Sequence, residues 1–99
     1  MDFGAPWCGP CQSFTKIFEQ LASEFLDVCF AQVNVEQFPH LAETFHIHSI
    51  PHLIVFKQGI AIYSESGNMP ASILKELLVQ ARNADVSALL ESIRDEHKD

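Results

Sequence analysis

The sequence predicts an α/β sandwich built on one mixed sheet. Three features lead there. Short apolar runs of strand length alternate with amphipathic runs of helical period. Leu53-Ile54-Val55-Phe56 is apolar without a break, as a strand buried on both faces would be. Lys57-Gln58-Gly59 then makes a tight turn into Ile60-Ala61-Ile62-Tyr63, a hairpin partner.

The elements follow in order. Met1 to Gly4 is a stub of strand ending at the stretch Ala5-Pro6-Trp7-Cys8-Gly9-Pro10-Cys11. Behind it, Phe14, Ile17, Phe18, Leu21, Ala22, Phe25 and Leu26 recur at the spacing of one helix face. Residues 28–35 read as a strand with Cys29, Ala31, Val33 and Val35 on one face, which makes Cys29 a small core residue. Residues 38–46 form a short helix turning Leu41, Ala42 and Phe45 inward, and a loop from His46 to Ile50 leads into the apolar strand. Residues 68–82 are predicted helical, with Pro70 near the first turn and Ile73, Leu74, Leu77, Leu78 and Ala81 on the apolar side. Asp85 is a suitable N-cap for a last helix carrying Val86, Leu89, Leu90 and Ile93, and residues 94–99 form a solvated end.

At 99 residues and 47% hydrophobic, with eight Phe, the chain is one globular domain. Its net charge of −7 argues against nucleic acid and anionic membrane surfaces as partners. No apolar run reaches membrane-spanning length and no signal peptide is evident. Three cysteines suit a catalytic pair with one left over, in a reducing and hence cytoplasmic compartment, better than a structural disulfide framework.

The chemistry is concentrated in Cys8 and Cys11. Their spacing puts Cys8 at the mouth of the first helix and Cys11 one turn in, on the same side. A helix N-terminus carries free N–H groups and partial positive charge, which favours thiolate over thiol. Pro10 fits because a first turn needs no N–H from it. In such a setting a cysteine titrates near ~7 instead of ~8.5, a shift worth roughly 2 kcal/mol. An exposed, ionised Cys8 with Cys11 poised to close the ring describes a dithiol that opens and closes a disulfide.

Trp7-Cys8-Gly9-Pro10-Cys11 resembles the active-site signature of the thioredoxin family, and the likeness extends to Asp2-Phe3, Val33-Asn34-Val35, Ile50-Pro51, Phe56-Lys57-Gln58-Gly59 and Gly67, or about Asp2 to Arg82. It implies a thioredoxin-like three-layer sandwich over residues 1–84, truncated by one strand–helix unit at the N-terminus, with 85–99 as an additional C-terminal amphipathic helix. A central strand cut to three residues would leave its neighbours with unpaired ladder groups. The extra helix is expected to cover that gap or to make a homodimer contact.

The same resemblance implies a thiol–disulfide oxidoreductase acting on protein disulfides, needing neither metal nor organic cofactor and recycled by an NADPH-dependent thioredoxin reductase. Cys8 would attack and Cys11 resolve the mixed disulfide. Trp7, Gly9, Pro10, Ile50, Pro51 and Gly67 would line the substrate groove, with Pro51 cis so that Ile50 can hydrogen-bond an incoming peptide. Asp2 matches a buried carboxylate that helps the resolving thiol lose its proton. The residues alone leave open a frayed, exposed Asp2.

His46, His48 and His52 flank the Ile50-Pro51 loop. An imidazolium there, His52 above all, would stabilise a Cys8 thiolate, and His-x-His with the cysteine pair would supply four metal ligands. A zinc protein and a non-catalytic binding module are the two rival readings. Gly4 stands where the family often has an aromatic residue, which opens space beside the motif.

Overall fold

The computed structural model describes residues 1–96, with side chains through residue 92. Its strands are β1 (Asp2–Gly4), β2 (Gln32–Asn34), β3 (His52–Lys57) and β4 (Ile60–Ser66), and its helices α1 (Gly9–Glu24), α2 (Pro39–Thr44), α3 (Ala71–Asn83) and α4 (Ser87–Glu96). The sheet runs β2-β1-β3-β4, with β1 parallel to β2 and antiparallel to β3. The mixed sheet is therefore as expected, and of its two shortest strands β1 lies inside the sheet and β2 at its edge.

Side-chain period places the helices on both faces. Phe14, Phe18 and Leu21 on α1, with Phe25 beyond its end, bury against Leu53 of β3 and Leu74 and Leu78 of α3. On the opposite face Phe3, Val33 and Ile54 meet Leu41 and Phe45 of the α2 segment. Phe3, Phe14, Leu21, Ile54 and Leu74 are fully enclosed. At about 25 cal/mol per Å² of apolar surface removed from water, each such side chain contributes roughly 1.5–3 kcal/mol.

Several expectations need correction. The strand predicted over 28–35 contracts to Gln32–Asn34, and Cys29, expected in the core, is exposed. The cause is the ladder. β1 pairs Asp2 with Gln32, Phe3 with Val33 and Gly4 with Asn34, so residues 28–30 face no strand. A groove of about 520 Å³ opens there, lined by Val28, Cys29 and Phe30 on one side, Val55 and Phe56 on the other, and Leu74 and Leu78 beneath. Leu26, placed on the α1 face, is 88% exposed because the helix has already ended at its C-cap, Phe25. Ile73 is half exposed rather than inward.

The hairpin forms through Gln58 (φ 52°) and Gly59 (φ 81°), the left-handed pair that a two-residue turn needs. β4 runs three residues past the expected Tyr63. The junction of α3 and α4 is tied by Lys57, whose Nζ donates to the carbonyls of Ala81 (2.9 Å), Arg82 (2.7 Å) and Ala84 (2.5 Å). Asp85 Oδ1 accepts the N–H of Ser87 (3.0 Å) at the start of α4, the capping role expected of it. Val86 is buried and Leu89 half exposed. No described residue of α4 lines the open groove, so the expected covering of the gap is not seen among the described residues. The side chain of Ile93 and the polar end predicted over 94–99 lie outside the residues whose side chains are described.

Candidate functional site

β1 ends at Gly4, and the chain turns through Ala5-Pro6-Trp7 to deliver Cys8 as the N-cap of α1. The cap conformation is extended (φ −87°, ψ 109°), and Cys8 Sγ accepts the backbone N–H of Cys11 at 3.2 Å. A sulfur thus takes the place of the usual hydroxyl or carboxylate at a helix start. Cys8 and Cys11 are disulfide-bonded, with Cα atoms 5.2 Å apart. Pro10 lies in the first turn as the spacing predicts.

Both sulfur-bearing residues are covered, Cys8 at 6% exposure and Cys11 at 4%. The exposed attacking sulfur expected from the sequence is therefore sheltered in the oxidised pair. Ala5, Val35 and Ile50 pack against the two cysteines. Ile50-Pro51 is cis, and the Ile50 carbonyl oxygen lies 4.0 Å from Cys8 Sγ. Gly67, at φ 114°, donates its N–H to the Pro51 carbonyl (2.8 Å) and holds that loop against the end of β4. Trp7 is 69% exposed, with its indole N–H donated to the Glu36 carboxylate. Ile50 thus packs against the disulfide, followed in the chain by cis-Pro51, while Trp7, Gly9 and Pro10 are exposed on either side of Cys8 in sequence.

Asp2 is the buried carboxylate, not the frayed one. Pairing on both sides by β2 and β3 leaves it 4% exposed, and its Oδ1 has no hydrogen-bond partner among the described residues. Burial pushes its pKa from 3.8 up to about 6, with the Gln32 amide and the Met1 ammonium easing it back. Asp2, Gly4 and Cys11 share a cleft of about 370 Å³ with Gln12, Thr15 and Gln32. Gly4 lines this cleft and lets Cys11 pack close to β1, since a Cβ there would lie 3.3 Å from Cys11 Cβ and 3.4 Å from its Sγ.

The histidines are arranged differently from the expectation. His52 Nε2 is 2.8 Å from Ser64 Oγ on β4, and burial lowers its pKa. Burial thus works against a His52 imidazolium, and the ring nitrogen is engaged by Ser64 on β4. His46 and His48 stand with ring centroids 6.5 Å apart. Among the described residues, no three His, Cys, Asp or Glu side chains are grouped to hold a metal ion, so the imagined four-ligand set is not assembled. The Trp7–Glu36 contact was missed in the sequence, since 29 residues separate the pair and no motif links them.

A central-strand carboxylate, a cysteine pair capping the next helix and a cis-proline loop over the sulfurs define a thioredoxin-fold domain of the dithiol–disulfide class. The chain belongs to the thioredoxin family, whose model, described as Thioredoxin, matches residues 1–80. It is 40% identical to a thioredoxin of Mycoplasmoides gallisepticum over 79% of this chain and 78% of that protein. A thioredoxin of Chlamydia pneumoniae is 38% identical over 79% of this chain and 76% of its own length. Among solved structures, a Plasmodium falciparum thioredoxin superposes with a TM-score of 0.73 at 30% identity, covering 80% of each chain. Family membership and the cysteine pair establish thiol–disulfide oxidoreductase chemistry in general terms. No described helix is long and apolar enough to cross a membrane.

Proposed function

We propose that this chain reduces or exchanges disulfides of protein substrates through a mixed disulfide at Cys8. The observation that carries the reading is the cap itself: Cys8 Sγ sits at the helix N-terminus and already accepts the Cys11 N–H at 3.2 Å. A thiolate there keeps that bond and gains from the helix dipole. In the reduced protein the Cys8 thiolate attacks a substrate sulfur, breaks its S–S bond and releases one substrate thiolate. Cys11 then attacks the Cys8 sulfur, restoring the intramolecular disulfide and freeing the second substrate thiol.

Asp2 supports the second step. Its pKa near 6 leaves it mostly ionised at neutral pH, within the cleft that Cys11 lines, where it accepts the resolving proton directly or through water. Exposed Trp7 and the Ile50-Pro51 turn supply an apolar rim, and Gly9, Pro10 and Gly67 leave the approach to the sulfurs low. The pair is its own redox group and is recycled by a thioredoxin reductase using NADPH, in a reducing compartment such as the cytoplasm.

The test is reduction of insulin with dithiothreitol as electron donor, followed by turbidity. Rapid precipitation is expected with the wild-type chain and only the background rate with Cys8→Ser. Equal rates for the two would remove the catalytic reading and leave the binding module.

A further inference from the structure

Gln12, the residue after the second cysteine, touches the loop before the first one twice. Its backbone N–H donates to the Cys8 carbonyl at 3.1 Å, as the first turn of α1 requires. Its side chain turns back and donates from Nε2 to the Pro6 carbonyl at 2.6 Å. Trp7 lies between those two acceptors. Ala5 to Cys8 is itself a turn, closed by the Cys8 N–H on the Ala5 carbonyl at 3.2 Å. Ala5 is buried against the cysteines, whereas Pro6 and Trp7 form the exposed side of the turn. Among the described residues, the Gln12 amide is the side chain that ties the Pro6 carbonyl to the helix.

We propose that Gln12 is a positioning residue for Cys8, clasping the Pro6–Trp7 peptide to α1 so that the Cys8 sulfur stays at the helix N-terminus once the disulfide is open. The inference deepens the redox reading of the Cys8–Cys11 pair and rests on it. In the oxidised chain the S–S bond already fixes residue 8 to residue 11, and the clasp is redundant. Dithiothreitol supplies two electrons, forms its own cyclic disulfide and leaves Cys8 and Cys11 as thiols. The cap then depends on how well the loop ahead of α1 is held. A thiolate gains from the Cys11 N–H and the helix dipole only while it remains at the cap. Gln12 therefore matters to Cys8 in the reduced state and little in the oxidised one.

The far side of the loop has its own tie. The Trp7 indole N–H donates to the Glu36 carboxylate, and the Glu36 backbone N–H is fixed on Asn34 Oδ1 at 2.9 Å. That contact secures the indole, whereas Gln12 secures the peptide in front of it. The two are separable by substitution.

Gln12→Met keeps the length of the side chain and removes its donor. In a Cys11→Ser, Cys29→Ser background Cys8 is the sole thiol, and its thiolate absorbance at 240 nm is followed against pH. Adding Gln12→Met is expected to raise the midpoint by about half a unit, or roughly threefold in the ionisation constant. In the chain with its native cysteines, the anisotropy decay of Trp7, the only tryptophan, reads the loop directly. Gln12→Met is expected to add fast local motion in the dithiothreitol-reduced protein and little in the oxidised one. A merely structural role would lower the melting temperature of both forms and move neither readout. An unchanged midpoint, or loop motion raised equally in both forms, overturns the assignment. Neither measurement uses a substrate, and insulin reduction by wild type against Cys8→Ser tests the redox reading separately, so the two failures are distinguishable.

Discussion

The backbone N–H of Cys11 points at the sulfur of Cys8 across 3.2 Å, so the residue assigned to resolve the mixed disulfide also steadies the one assigned to attack. The bond is made by the main chain and survives substitution of the Cys11 side chain. In a Cys11→Ser, Cys29→Ser variant, Cys8 is therefore expected to titrate near ~7 rather than ~8.5. Thiolate absorbance at 240 nm against pH checks it. A midpoint above 8 would show that the cap does not stabilise the anion.

Phe14 has no exposed surface and packs on α1 within the cluster that joins the helix to β3 and α3. Phe14→Ala is expected to destabilise the fold by about 3–5 kcal/mol, combining lost burial with an unfilled cavity. Urea denaturation reads this as a lower midpoint at unchanged slope. Because α1 carries Cys11 and is capped by Cys8, the same variant should lose insulin reduction at temperatures where it begins to melt.

Much of the architecture was legible because period and punctuation are local. The helix behind Cys11, the apolar run of β3 and the Gln58-Gly59 turn each declare themselves within a dozen residues. Cys29 did not, because its place depends on whether a neighbouring strand reaches it, and β1 pairs only from Asp2 onward. Leu26 failed for a smaller reason: it keeps helical spacing one residue past the cap, where the period no longer applies. The fate of Asp2 was equally invisible, since its burial comes from strands contributed 30 and 51 positions later. Trp7 and Glu36 meet for the same tertiary reason.

Lys57 concentrates three carbonyls of the α3–α4 junction on one ammonium. Lys57→Met keeps the aliphatic stem and removes the donors, leaving helix-end carbonyls to water. The expected loss is about 1–2 kcal/mol, more than for an ordinary surface residue. Hydrogen exchange should quicken in the last turn of α3 while the β3–β4 ladder stays protected. Uniform quickening across the sheet would assign Lys57 a role beyond the junction.

Asp2 links stability to pH in the direction opposite to a salt-bridged carboxylate. Its folded pKa of about 6 lies above the unfolded value of 3.8, so the native state holds the proton more tightly. The stabilising, protonated form is fully present below 3.8, and its contribution is lost as pH rises through about 6. Asp2→Asn removes the ionisable group at similar size. It is expected to raise stability at pH 7.5 by about 2 kcal/mol, a figure discounted for solvent entering the cleft, and to change it little at pH 3.8. The same variant should slow the resolving step, so that mixed disulfides at Cys8 persist longer than in wild type at pH 7. Thermal melts across this range, with substrate adducts counted by mass, separate the two effects. A stability difference independent of pH would mean that Asp2 is not the group being ionised.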